Sequence, residues 1–96
     1  MNVTVVVARA LERFAGGGRR VAVAVNGPPP ATVAAVLEAV IASYPGLRDR
    51  VFDEQGQVRP HVNLFVDAES VRFTGGLKTP VNDGSELSIL PAVSGG

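Results

Sequence analysis

The 96 residues carry nine basic and nine acidic side chains, so the chain is formally neutral, and 46 % of it is apolar against 5 % aromatic. That length makes one domain with one modest core, its neutrality removes the basic field a nucleic-acid backbone requires, and its few aromatics offer no stacking platform for bases. The absence of cysteine excludes disulfide frameworks, thiolate metal centres and cysteine nucleophiles together.

Val-Thr-Val-Val-Val-Ala over residues 3–8 is β-branched and predicts a first strand. Residues 19–25 alternate, with Val21, Val23 and Val25 on one face and Ala22 and Ala24 on the other, which predicts a second strand antiparallel to the first. The link between them, 9–18, holds Leu11 and Phe14 in a stretch compatible with a helical turn and ends in three glycines, so a loose connection is expected rather than a tight hairpin.

Asn26-Gly27-Pro28-Pro29-Pro30 is a firm break, because each proline lacks a backbone donor and disfavours helix in the residue before it. A helix follows, with Thr32 as its N-cap and an apolar stripe of Val33, Val36, Leu37, Val40, Ile41 and Tyr44, ended by Pro45-Gly46. Residues 47–52 predict a short extra turn that packs Leu47 and Val51 under the sheet, and 53–57 read as a polar loop.

Residues 60–67 alternate again, turning Val62, Leu64 and Val66 one way and His61, Asn63 and Phe65 the other. Residues 67–70 read as a turn and 71–73 as a short strand on which Arg72 points away from the core. Thr74-Gly75-Gly76 and Asn82-Asp83-Gly84 punctuate the stretch from 74 to 84, and a final strand turns Leu87 and Ile89 inward, with Ser88 and Leu90 outward.

Two strands, a helix, then two or three strands predict an α+β layer of the β-grasp (ubiquitin-like) kind: a mixed four- to five-stranded sheet with one main helix on one face. The first and final strands are the most apolar and are placed centrally, parallel to each other. The opposite face of the sheet is then uncovered. Phe65 and Leu90 stand on it, with Val6, Ala22 and Ala24 beside them, and an apolar patch on an uncovered face marks a protein partner.

Candidate chemistry is sparse. Gly16-Gly17-Gly18-Arg19-Arg20 lacks the Gly-Lys-Ser/Thr ending of a phosphate loop and precedes a strand instead of a helix. His61 is the only histidine, so a metal would have to rest on carboxylates scattered over loops, and no metal site is expected. Asp53, Glu54, Asp67, Glu69, Asp83 and Glu86 sit in turns and loops where such residues are ordinary. Val93-Ser94-Gly95-Gly96 has a superficial likeness to a nucleophile elbow but has no following helix. No catalytic residue is assigned, and the chain is not read as an enzyme. Residues 1–8 have no basic segment followed by a long apolar one, and the longest apolar stretch, 33–42, is broken by Glu38. The expectation is a cytoplasmic protein that binds no membrane.

What remains is the end of the chain. A final strand running into Ser94-Gly95-Gly96 presents the Gly96 carboxylate as a chemical group, because two residues without side chains can enter a narrow channel. Residues from about 92 onward are expected to form a flexible tail on one domain spanning 1–96.

The run Arg59-Pro60-His61-Val62-Asn63-Leu64-Phe65-Val66, then Val71-Arg72-Phe73-Thr74-Gly75-Gly76-Leu77, then 82–96 with its Asp83-Gly84 turn, Ile89-Leu90-Pro91 and diglycine end, resembles the MoaD/ThiS family of ubiquitin-like sulfur carriers. Within that family it looks most like the CysO-type carriers of cysteine biosynthesis, whose opening is similar to Met1-Asn2-Val3-Thr4-Val5. Ser94 stands where alanine is common in the family, and the triple proline departs from its pattern. The resemblance implies a carrier whose Gly96 carboxylate is adenylated by a ubiquitin-activating-type adenylyltransferase/sulfurtransferase and converted to a thiocarboxylate. Val93, Ser94, Gly95 and Gly96 would enter partner active sites, and Phe65, Leu90, Pro91 and Arg72 would form the partner-binding patch. Arg72 is left with two readings, solvated or reaching toward the tail or a partner. No cofactor would be bound by this chain. ATP would be used by the activating enzyme and pyridoxal phosphate by the acceptor, a cysteine synthase, with a metalloprotease releasing the product. A small subunit of molybdopterin synthase working with its large subunit, a ubiquitin-like protein modifier and a non-catalytic interaction module stay open as alternatives.

Overall fold

A computed structural model describes residues 1–91. Strand β1 (Asn2–Val7) pairs antiparallel with β2 (Arg20–Ala24) and parallel with β7 (Glu86–Pro91), and β4 (Val62–Val66) closes antiparallel on the other side of β7, with β5 (Glu69–Ser70) at the edge. The order β2-β1-β7-β4-β5 makes the last strand the centre of a mixed five-stranded sheet, the β-grasp arrangement the element order predicts. A parallel neighbour cannot be reached by a hairpin, so the chain between β1 and β7 must cross over one face of the sheet. Helix α1 (Val33–Ser43) lies on that crossover.

Alternation explains the core. Val3, Val5 and Val7 of β1 and Leu87 and Ile89 of β7 are buried, and the register puts Val5 beside Leu87 and Val7 beside Ile89. From the helix, Val33, Val36, Leu37, Val40 and Ile41 meet them at the spacing the sequence predicts. Leu47 and Val51 are buried as expected, Leu47 closing a 3-10 turn (Pro45–Leu47) and Val51 a short helix, α2 (Arg48–Val51). The expected helical turn after β1 is a 3-10 stretch, Arg9–Phe14. Among the described residues no helix is long and apolar enough to cross a membrane.

The start of α1 is fixed twice. The Thr32 hydroxyl oxygen accepts a hydrogen bond from the Ala35 amide at 3.1 Å, satisfying one of the donors left free at a helix start. A second, two-stranded sheet, β3 (Ala31–Thr32) with β6 (Pro80–Val81), holds the same point, and the Val33 amide donates to the Thr79 carbonyl at 3.0 Å. That pairing is not legible in the sequence, because two-residue strands carry no periodicity. Thr32→Ala is expected to cost about 1 kcal/mol in denaturant unfolding, the usual value of a lost cap, with Thr32→Ser close to neutral.

Two expectations are corrected. Residues 67–70 are not all turn. Asp67, with φ of 54°, and Ala68 join β4 to β5 in a hairpin that pairs Val66 with Glu69 and Phe65 with Ser70. Residues 71–73 are a 3-10 turn (Val71–Phe73) rather than a strand. A period of three replaces a period of two there, so Val71 turns inward while both Arg72 and Phe73 turn out, leaving Phe73 88 % exposed.

Candidate functional site: the open face and the strand end

The side of the sheet away from α1 is built by the residues that alternate with the core. One row across it runs Arg20, Val6, Ser88, Phe65, Ser70, from β2 through β1, β7 and β4 to β5. Leu90 sits one pair further along β7, opposite Asn63 and diagonal to Phe65. Val6, Phe65 and Leu90 are half-buried, and none of them belongs to the side chains packed on the core. A diagonal pair lies within reach for an aromatic ring, so Phe65 and Leu90 form one apolar surface with Val6 across Ser88.

Ala22 and Ala24 share the face but not the patch. Ala22 belongs to the next row, whose members on β1 and β7 are the polar Thr4 and Glu86. An ion pair crosses this margin, Arg20 Nη1 to Glu86 Oε2 at 3.1 Å. It is solvent-exposed and contributes little stability, but it fixes where the apolar surface ends.

Pro91 is exposed, pairs with Val62 and is the last described residue. Alternation along β7 turns it to the other side from Leu90, beside Val62 in a hollow lined by Phe14 and Arg50, so of the four expected patch residues only Phe65 and Leu90 are brought together. Arg72 stands apart. Its guanidinium donates to the Pro60 carbonyl at 3.1 Å and borders a groove of about 330 Å³ whose walls include Val62, Leu64, Val71 and Leu77, the core-facing side of β4. Arg72 is exposed, in keeping with the solvated reading, and its bond to Pro60 also ties the 71–73 turn to the loop before β4. Val93, Ser94, Gly95 and Gly96 lie outside the described residues.

His61 is exposed and lies among Phe14, Arg50 and Arg59, with Asp49 as the nearby carboxylate residue. Among the described residues, no group of three or more His, Asp or Glu is arranged to hold a metal. Asp67 and Glu69 border one shallow hollow beside Thr74 and Thr79, at the hairpin that joins β4 to β5. Sequence reasoning missed the cluster around His61, because Phe14, Arg50 and His61 belong to three segments whose meeting depends on topology.

The ThiS family model matches residues 28–96, which includes the helix, β4, β7 and the diglycine end. The sulfur carrier protein CysO of Mycobacterium tuberculosis is 39 % identical over 98 residues, covering all of both chains. Among solved structures, SAMP1 from Haloferax volcanii superposes with a TM-score of 0.83 at 32 % identity over the whole of both chains. A chain in the BexX/CysO complex of Amycolatopsis orientalis gives 0.82 at 37 % identity, covering 98 % of this chain and 99 % of that one. The open-faced β-grasp sheet, the strand that carries its centre into a diglycine sequence, and a family match over most of the length place this chain in the ThiS family.

Proposed function

We propose that this chain is a sulfur carrier, acted on by partner enzymes and not itself an enzyme, with the Gly96 carboxylate as the sulfur attachment point. The observation that carries this reading is the full-length similarity to a sulfur carrier protein, 39 % identical without a shortfall at either end. The fold supplies a reason for the design. The most deeply held strand, β7, ends at Pro91, five residues before Gly96. Five residues span at most about 17 Å when extended, enough to carry a carboxylate from a docked domain into an active site.

The chemistry requires activation first, because a carboxylate has no good leaving group. An activating enzyme joins the Gly96 carboxylate to the α-phosphorus of ATP and releases pyrophosphate. Hydrosulfide sulfur then attacks the acyl carbon, the bond to AMP breaks, and the products are a thiocarboxylate, AMP and a proton. Sulfur becomes tethered and nucleophilic without escaping. Phe65 and Leu90, with Val6, dock the activating enzyme and the acceptor in turn, so the two compete for one face.

For the acceptor, likeness to CysO favours cysteine biosynthesis: a pyridoxal-phosphate-dependent cysteine synthase transfers the sulfur to an activated serine, and a metalloprotease releases cysteine from the carrier end. A second reading, a modifier joined to lysines of other proteins, is favoured by the likeness to SAMP1. The same activated Gly96 would serve it.

Intact mass after incubation with the purified activating enzyme, ATP and a sulfide source tests the carrier reading. The expected result is a gain equal to replacing one oxygen by sulfur. An unchanged mass with an enzyme active on another carrier would overturn it, and larger conjugates in cell extract would favour the modifier. Phe65→Asp is expected to weaken binding of the activating enzyme by at least about tenfold, the size of a buried interface anchor, while Tm changes little. A large fall in Tm would show that Phe65 supports the fold instead.

A further inference from the structure

The neutral chain is electrically polarised along the sheet. The carboxylates of Asp67, Glu69 and Asp83 lie at the end where β4 finishes and β1 begins, Asp83 accepting from the Asn2 amide at 2.7 Å. Because β7 runs parallel to β1 and β4 runs against it, the segment after β1, the residue before β4 and Pro91 all meet at the opposite end. There Arg13 and Arg50 both approach the ring of Phe14, with guanidinium carbons 4.8 and 4.4 Å from its centroid. The ring itself is held close to the turn after α1, since a Cβ at Gly46 would come within 3.3 Å of it. His61 and Pro91 border the same hollow, and Arg59 joins it from the neighbouring one, its Nε donating to the Asp49 carbonyl at 2.7 Å.

Glu12 and Asp49 are the acidic residues nearby, yet among the described residues none of Arg13, Arg50 and Arg59 has a carboxylate oxygen within 4 Å. Two guanidiniums already ordered on an aromatic ring lose little rotamer freedom on binding, and among the described residues no carboxylate pairs with their charge. A chain with no net charge can be oriented only by such local charge.

We propose that the Arg13, Phe14 and Arg50 cluster, with Arg59 and His61, docks an acidic protein surface that borders the opening into which the residues after Pro91 pass. The opening rests on the carrier reading; the charge recognition does not. The cluster sits around the strand end and not on the Phe65 face, so it sets the direction of approach while the apolar patch supplies affinity. A nucleic acid is the less favoured occupant, because the acidic far end and zero net charge oppose a polyanion.

Two measurements on the full chain test this. In an amide NMR titration with a glutamate-rich heptapeptide as probe, shifts are expected at 10–14, 49–50 and 59–61, vanishing in molar salt and in the R13E/R50E variant. Absent shifts, or shifts spread evenly over Arg19, Arg20, Arg48 and Arg72 as well, would overturn the proposal. So would a DNA duplex that produces the same pattern at lower concentration than the peptide. With the purified activating enzyme, R13E/R50E is expected to slow association at low salt by about tenfold or more, and the difference should close as salt is raised; equal rates would overturn the proposal. Both residues are exposed, and R13Q/R50Q, with an intermediate effect at unchanged Tm, separates lost charge from lost structure. Localised peptide shifts in a wild-type chain that the enzyme neither binds nor modifies would support the cluster and sink the carrier reading.

Discussion

Removal of Gly96 is expected to abolish thiocarboxylate formation, to below about one part in a thousand of the wild-type yield, while thermal unfolding stays where it was. The reason is geometric. In the proposed carrier a carboxylate oxygen of Gly96 must reach the α-phosphorus of ATP at the end of a chain that starts from a docked domain, and shortening that chain by one residue withdraws the carboxylate by about 3.5 Å. Misplacement of about 1 Å already costs roughly a hundredfold in rate. Appending one alanine after Gly96 tests the same point from the other side, because it moves the carboxylate too far and adds a methyl group where two glycines left none. Mass spectrometry of the product reads both variants. Sulfur incorporation into either at the wild-type rate would refute the role of Gly96, and a fall in Tm would show that the tail supports the fold.

Ile89→Ala is expected to have the largest effect on stability. Ile89 is fully buried in the central strand, beside Val7 on one side and Leu64 on the other. Truncating such a side chain removes buried area and leaves a cavity that the flanking strands cannot close, a cost of about 2–5 kcal/mol. For a domain of this size that lowers Tm by on the order of 10–30 °C. Leu90→Ala, one residue along but on the open face, should cost less than about 1 kcal/mol and impair partner binding instead. Guanidinium chloride unfolding of the pair checks the contrast. Equal losses would mean that alternation along β7 does not separate core from surface.

Much of the fold was legible because its signals are local. Val21, Val23 and Val25, the stripe from Val33 to Ile41, and Leu87 with Ile89 each announce one face by their spacing alone, and the structure buries them. Thr32 and Pro45-Gly46 bound the helix by backbone chemistry that needs no tertiary contact. The reading failed where the chain is short of residues to repeat. Three residues, 71–73, fit a period of two or three equally well, and the choice of a 3-10 turn exposed Phe73 and tied Arg72 to Pro60. The β3–β6 pair, two residues on each side, left no pattern to find.

The candidate site divides along the same line. Phe65 and Leu90 could be placed on one face from alternation, because both strands keep a strict period of two and the uncovered side of a sheet is implied by having only one main helix. Gly96 drew notice because a diglycine after a strand needs no folding to be conspicuous. By contrast, the gathering of Arg13, Phe14, Arg50 and His61 around Pro91 depends on β7 lying parallel to β1 and antiparallel to β4. The sequence by itself determined the buried faces of the helix and of the longer strands β2, β4 and β7, where the helix begins and ends, and which residues carry the family likeness, since spacing, capping and motif are properties of neighbours along the chain. Only the tertiary structure decided which charges stand together at the strand end, since residues far apart in sequence become neighbours only when strand order and direction are set.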